Sequence, residues 1–223
     1  MANSSVTRGC FITFEGGEGA GKSTQCRLLA RAIEARGRSV LCTREPGGAP
    51  GAEAIRALLV EGAGDRWDAI SEALLHFAAR RAHLVDTVWP ALDRGVWVIS
   101  DRFADSSMAY QGVGLGLGRE PIETLYRLAI GDFQPDLTII LDLPVAVGLA
   151  RVERRGVGQH QRYERMDRAF HERLRQGFLD IAAREPDRCR LIDGTMDENQ
   201  VAQAVWRTVQ GRWPDLSHAS VMP

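Results

Sequence analysis

Five short runs of apolar, β-branched and aromatic residues punctuate the chain: "CFITFE" (10–15), "SVLCT" (39–43), "VWVIS" (96–100), "LTIILDL" (137–143) and "CRLID" (189–193). Each has the length and composition of a buried strand. Between them the rhythm changes to the three-and-four spacing of helices. Leu28, Leu29, Ala32 and Ile33 precede a stop at Gly37, and further helices are predicted over 52–61, 68–93, about 121–131, 145–155, 165–184 and 197–210. In the 68–93 segment the pattern sets Leu74, Leu75, Ala78, Ala82 and Val85 on one apolar face. Strands alternating with helices predict right-handed crossovers and a five-stranded parallel sheet covered on both sides.

In such a sheet ligands collect at the carboxyl ends of the strands. Those ends carry Glu15, Arg44, Asp101, Arg102, Asp142 and Asp193, so the polar chemistry and the topology point to one edge. A single domain over 10–210 is expected, with a disordered extension over 1–9 and an unstructured tail over 211–223.

Composition narrows the function classes. The 223 residues are 44% hydrophobic and 26% charged, with a formal net charge of −1. A balance so close to neutral supplies no bulk attraction to nucleic acid or to a membrane, and neither is expected as a partner. Cys10, Cys26, Cys42 and Cys189 have no metal-type spacing and read as reduced thiols. The leader "MANSSVTRG" has no apolar core, and "LTIILDL" is too short to span a bilayer, so a cytoplasmic protein is expected. One count is sharper. Of 28 basic residues one is lysine and 27 are arginine, and that lysine is Lys22. A compact ammonium and a planar guanidinium are not interchangeable between phosphate oxygens, so Lys22 is read as required.

Lys22 lies in "GGEGAGKS" (16–23), which matches G-x-x-x-x-G-K-[ST] between a predicted strand and a predicted helix. Backbone N–H groups from Gly16, Gly17, Glu18, Gly19, Ala20 and Gly21 through Ser23 and Thr24 would hold a triphosphate. Lys22 would reach its β and γ groups, and the Ser23 hydroxyl would ligate Mg²⁺. Asp101, ending its strand, would hold the same metal directly or through water. These features predict phosphoryl transfer or hydrolysis with Mg²⁺ and ATP or GTP. The guanine-reading N-K-x-D element is absent, because the only lysine is already in the loop. A small kinase needs an acceptor site, and a monophosphate acceptor needs forked guanidinium groups. Arg44 in "TREPGG" and Arg102 in "DRF" each follow a strand end.

The loop, "TREPGG", "LHFAARRAHL", "DRFADSSMAYQG" and "LDLP", in this order, resemble the bacterial thymidylate kinases, P-loop nucleoside monophosphate kinases that make dTDP from dTMP and ATP. The resemblance covers about residues 10–210. It implies a P-loop NTPase three-layer α/β/α fold with a five-stranded parallel sheet, a mobile lid and a homodimer. It also implies roles. Phe77 would stack on thymine and Arg81, four residues on, would donate to its carbonyl. Arg44 and Arg102 would bind the dTMP phosphate, with Pro46 in a cis turn that aims Arg44. Ser107 and Gln111 would border the base, Tyr110 would crowd the 2′ position, Glu18 would face the 3′-hydroxyl, and Glu15 would support the hydrated metal. The family acid in the loop answers why a phosphate cradle tolerates carboxylates: Mg²⁺, Lys22 and the arginines outweigh them locally.

The transferring phosphoryl group needs further positive charge. No arginine stands between Gly16 and Gly21, whereas "RVERRGVGQHQRYER" (151–165) carries five, so a lid over about 151–165 is expected to supply it. Arg155 and Arg162 are the first choices, with Arg151 beside ATP and the adenine against Asp193, Gly194 and Thr195. Two other readings remain open at this point: a related kinase for another monophosphate or a deoxynucleoside, and a non-catalytic nucleotide-binding module.

Overall fold

The computed structural model describes residues 8–61, 66–154, 163 and 166–217. The predicted strands are present as β1 (Phe11–Glu15), β2 (Val40–Arg44), β3 (Trp97–Asp101), β4 (Leu137–Asp142) and β5 (Cys189–Asp193). All neighbours are parallel, in the order β2-β3-β1-β4-β5. Arg44 pairs in register with Asp101, and Asp142 with Asp193, which gathers the strand-end charges along one edge.

The helices are α1 (Lys22–Glu34), α2 (Pro50–Val60), α3 (Ala69–His83), α4 (Trp89–Asp93), α5 (Ala104–Ser107), α6 (Arg119–Ile130), α7 (Val145–Arg154), α8 (Arg168–Arg184) and α9 (Glu198–Arg212). A π-helical turn at Leu84–Val88 joins α3 to α4, and another at Met108–Gly114 continues α5. Local chemistry sets several starts: Asp68 accepts from the N–H groups of Ile70 and Ser71, and Asp197 with Gln200 forms a capping box on α9. Strand alternation divides the core. Ile12 and Phe14 pack with α1 and α9 on one side, whereas Phe11 packs with α3, α4 and α6 on the other.

Two expectations fail here. In α3 the buried residues are Glu72, Ala73, Phe77, Ala79, Arg80 and His83, followed by Leu84 and Val88, while Leu74, Ala78 and Val85 are exposed. The helix has two apolar stripes, and the pattern 74/78/85 is the outward one. The tail is also more ordered than expected. Trp213 packs on Trp97 with centroids 4.9 Å apart, Pro214–Ser217 makes a 3₁₀ turn, and Leu216 is fully buried. Arg38 and Asp215 tie this turn to the body at 2.6 Å.

Trp213→Ala should therefore lower the unfolding free energy by about 2 kcal/mol, less than a fully buried tryptophan would cost. Urea unfolding checks this; an unchanged midpoint would mean that the turn contributes nothing to the fold.

Candidate active site

The loop after β1 closes on itself before turning into α1. Lys22 Nζ donates to the carbonyls of Gly16 (3.1 Å) and Gly17 (2.8 Å). Burial lowers the Lys22 pKa to about 8, with the Arg102 charge acting in the same direction and Glu18 and Asp101 opposing. At Gly19, φ is +71° and a Cβ would lie 2.2 Å from the carbonyl oxygen of Gly148 in α7; a Cβ on Gly148 would lie 2.4 Å from the carbonyl oxygen of Glu18. The loop and α7 interlock, and this close approach leaves no room for a side chain at Gly19.

The Ser23 hydroxyl donates to the Asp101 carboxylate where α1 starts beside the end of β3. A hydroxyl and a carboxylate next to Lys22 are hard oxygen donors of the kind Mg²⁺ takes. No cluster of three His, Cys, Asp or Glu side chains among the described residues could hold a metal alone, so an ion here would draw its remaining ligands from phosphate and water. Glu15 does not join them. It alternates onto the face covered by α5, is fully buried, and accepts from the N–H of Phe103 (2.7 Å), the N–H of Ser106 (3.3 Å) and the Ser106 hydroxyl (2.5 Å). Burial pushes its pKa up, and the Asp105 charge adds to this. Glu15 braces the start of α5.

Arg102 has φ of +73°, a left-handed conformation costing a side-chain-bearing residue on the order of 1 kcal/mol. Its N–H donates to Phe14 O (2.9 Å) and its carbonyl accepts from Ser100 Oγ (2.7 Å), which hold it there. The conformation sends the guanidinium back over the loop. It donates to Glu18 Oε1 (2.9 Å), Gly16 O (3.2 Å) and Ser106 Oγ (3.2 Å), and lies 4.9 Å from the centre of the Tyr110 ring. The Tyr110 hydroxyl donates to the same Glu18 oxygen at 2.5 Å. Burial would raise the Glu18 pKa, but Arg102 and Lys22 outweigh it and hold the carboxyl at about 2. Glu18 is a charged group at neutral pH.

A cleft opens beside this pair. Glu18, Ser23, Asp101 and Arg102 line one end; Arg44, Pro46, Ser107, Tyr110 and Gln111 line the rest, all of them expected from sequence. The Glu45–Pro46 bond is cis. Arg44 is exposed and its Nη2 donates to Glu53 at 3.0 Å. Gln111 Nε2 donates to Glu72 (2.8 Å) and to the Tyr163 hydroxyl (3.0 Å).

Phe77 and Arg81 are absent from the cleft. Phe77 is buried in the core with Phe103 and Leu84, and Arg81 reaches outward to Ala129 O (3.1 Å) over the Trp89 ring. One residue of phase, about 100° around the helix, separates them from the side chains that α3 does present to the cleft, His76 and Arg80. Glu45 and Arg56 also line it and were missed. The usable signal was the 73/77/80/84/88 stripe, which puts Arg80 inside and Arg81 outside.

On the other side of the loop an open groove is lined by Gly19, Gly21, Thr24, Arg151, Arg154, Gly194 and Met196. Arg151 Nη1 donates to Gly194 O at 2.9 Å. Asp193 and Thr195 are turned to each other, Asp193 Oδ1 accepting from the Thr195 N–H (2.8 Å) and hydroxyl (2.7 Å), so they shape the turn while Gly194 and Met196 line the groove. Arg155, Arg162 and Arg165, and most of the expected lid, lie outside the described residues.

The thymidylate kinase family model matches residues 14–205. The chain belongs to the thymidylate kinase family. The thymidylate kinase of Caulobacter vibrioides is 54% identical over 200 residues, spanning 90% of this chain and 95% of that protein. That of Magnetococcus marinus is 51% identical over 206 residues, 92% and 98% of the two chains. A crystal structure of thymidylate kinase from Ehrlichia chaffeensis superposes with a TM-score of 0.73 at 38% identity, covering 91% of this chain and 99% of that one. No helix among the described residues is long and apolar enough to cross a membrane.

The Lys22 geometry has a measurable consequence. In the ligand-free protein its proton is half lost near pH 8; a polyanion in the loop favours the charged ammonium and pulls the pKa back up. Triphosphate binding should therefore take up protons at pH 8.5–9 and almost none near pH 6.5, approaching about one proton at the upper end. Calorimetry of ATP binding in buffers of different ionisation enthalpy reads this directly; equal uptake at both pH values, or none at either, contradicts the assignment.

Proposed function

We propose that this thymidylate kinase family chain transfers the γ-phosphoryl group of ATP to the phosphate of dTMP, the two nucleotides meeting end to end over Lys22 and Arg102. Family membership carries the reaction, dTMP to dTDP. The residue-level reading rests on one observation: the phosphate loop, Asp101, Arg102 and Arg44 open onto a single cleft whose far end is bordered by Arg80, Ser107 and Gln111.

ATP phosphates occupy the loop N–H groups, with Lys22 leaving the Gly16 and Gly17 carbonyls for the β and γ oxygens. The ATP base lies in the groove beside Arg151 and Met196. Ser23 and Asp101 are the residues that would hold Mg²⁺, which would supply positive charge to the β- and γ-phosphate groups. Arg102 grips the dTMP phosphate, with Arg44 swinging from its exposed contact with Glu53 to join it. Glu18, anionic and already accepting from Tyr110, faces the deoxyribose hydroxyl. Arg80 takes the base-reading role expected of Arg81, and His76 stands where an α3 ring borders the base. No general base is required, because the acceptor is an anionic oxygen. Fixed charges and alignment supply the catalysis.

Assembly follows from the outward stripe of α3. Ile70 (59% exposed), Leu74 (51%), Val85 (44%) and, on α6, Leu128 (82%) form an apolar surface suited to a second copy across a two-fold axis. A homodimer working in the cytoplasm is the reading these features support.

A coupled ADP-release assay across dTMP, dUMP, dCMP, AMP and thymidine should show turnover fastest with dTMP. Lys22→Ala should lower kcat by about a hundredfold or more. Arg80→Met should raise the dTMP KM by about tenfold while Arg81→Met stays within about twofold; the reverse order would return the role to Arg81. Sedimentation equilibrium should give twice the 24.6 kDa chain mass, shifting toward one copy in Leu74→Asp/Leu128→Asp. A monomeric wild type rules out the interface.

A further inference from the structure

Arg80 is held more completely than a surface-reading arginine needs. Its Nε donates to Glu45 Oε2 (2.7 Å), Nη1 to Ser107 Oγ (3.1 Å) and Nη2 to Phe103 O (3.0 Å), and the guanidinium lies over the rings of Phe77 (4.8 Å) and Phe103 (5.4 Å). Among the described residues these bonds use three of its five N–H donors, and the group still borders the cleft. The Glu45 carboxylate has a second partner: His83 Nδ1 donates to Oε1 at 3.0 Å. A carboxylate only accepts, so Nδ1 carries the proton, and in the neutral ring Nε2 accepts from the Thr43 hydroxyl at 2.7 Å. Glu45, Arg80 and His83 are each at least 95% buried. The turn after Pro46 seals the far side, since a Cβ on Gly48, at φ +82°, would come within 2.4 Å of Thr43 Oγ1 and 2.6 Å of the His83 ring.

We infer that the buried chain Thr43–His83–Glu45 is a positioning brace that fixes Arg80 and thereby sets which pyrimidine the cleft accepts. Neither His83 nor Thr43 borders the cleft; they act through Glu45 on Arg80. A guanidinium offers donors only, so it matches a carbonyl on the base edge and opposes an exocyclic amino group. Discrimination of that kind depends on the donors staying put. An unbraced arginine can retreat from an amino group at little cost, whereas one pinned at Nε by a carboxylate, itself pinned by an imidazole, cannot. The brace also joins the two halves of the acceptor site, because Glu45 lies between Arg44 and cis Pro46 in sequence while Arg80 and Ser107 border the base.

The inference rests on the dTMP reading above, and its test uses binding as well as turnover so that the two can fail separately. Dissociation constants for dTMP, dCMP and ATP are measured by calorimetry on the full chain. His83→Leu should weaken dTMP binding about tenfold, leave ATP binding unchanged and narrow the preference for dTMP over dCMP. His83→Asn, whose amide can restore the donor to Glu45, should recover dTMP binding to within about threefold of wild type. Thr43→Val, which removes one hydroxyl at constant shape, should cost about two- to threefold. If His83→Leu does not fold, Glu45→Gln and Thr43→Val carry the same comparison. Folded variants with wild-type dTMP affinity and wild-type dTMP/dCMP preference overturn the brace, as does an equal loss for ATP and dTMP. Wild-type protein that binds dTMP in preference to dCMP without turnover sinks the transfer reaction and leaves the brace standing.

Discussion

The ion pair between Glu18 and Arg102, 2.9 Å across the ends of β1 and β3, is the contact on which the rest of the site depends. It puts a carboxylate inside a loop built for anions, which only works because the guanidinium of Arg102 reaches back over that loop. The left-handed backbone at Arg102 is what makes the reach possible, and Phe14 and Ser100 hold it there. Parallel pairing of β1 with β3 is therefore a requirement of the chemistry as well as of the fold. A slip of one residue in that register would send Arg102 to the other face of the sheet.

The same logic recurs across the site. Before any nucleotide arrives, Lys22 is held by loop carbonyls, Arg102 by Glu18, Arg44 by Glu53, Arg80 by Glu45 and Arg151 by the Gly194 carbonyl. On the reading proposed above, a phosphate group would exchange partners with Lys22, Arg102 and Arg44 while Arg80 keeps its carboxylate, so no bare charge has to be desolvated at that moment. The arrangement also keeps an arginine-lined cleft compatible with a chain whose formal net charge is −1. Positive charge is concentrated by geometry, with acids close by to balance it in the free state.

How much of this could be read from sequence divides along a physical line. Strand runs and the loop were legible because apolar continuity and a glycine-rich spacing are local signals, and the five strands fall within a residue of expectation. Helix phase was not, because α3 has an outward apolar stripe, Leu74 to Val85, as strong as the inward one. With two candidate faces, composition does not separate adjacent Arg80 and Arg81; the 73/77/80/84/88 stripe favours Arg80, and its bonds to Glu45 and Phe103 show that it points inward. Glu15 shows a second limit. A carboxylate at a strand end can reach forward to a metal or sideways beneath a helix, and the choice is made by Phe103 and Ser106, some ninety residues away in the chain. Trp213 and Leu216 show a third: a short tail reads as loose until the Trp97 ring that receives it is known.

The interlock between Gly19 and Gly148 connects the loop to the arginine-rich segment that follows α7. A Cβ on Gly19 would run into the Gly148 backbone and one on Gly148 into the Glu18 carbonyl, so the loop and the N-terminal half of α7 pack backbone against backbone. Position 19 consequently has no place for an arginine, and on the reading proposed above the further positive charge for the transferring group comes from outside the loop. Arg151 and Arg154 lie one and two turns beyond Gly148 on the same rigid helix, at the margin of the groove beside Thr24 and Met196. Because α7 is seated directly on the loop backbone, the position of the loop fixes the position of the helix that carries those arginines. Glycine at 19 and glycine at 148 are thus two consequences of one steric fact, the backbone contact between the loop and α7.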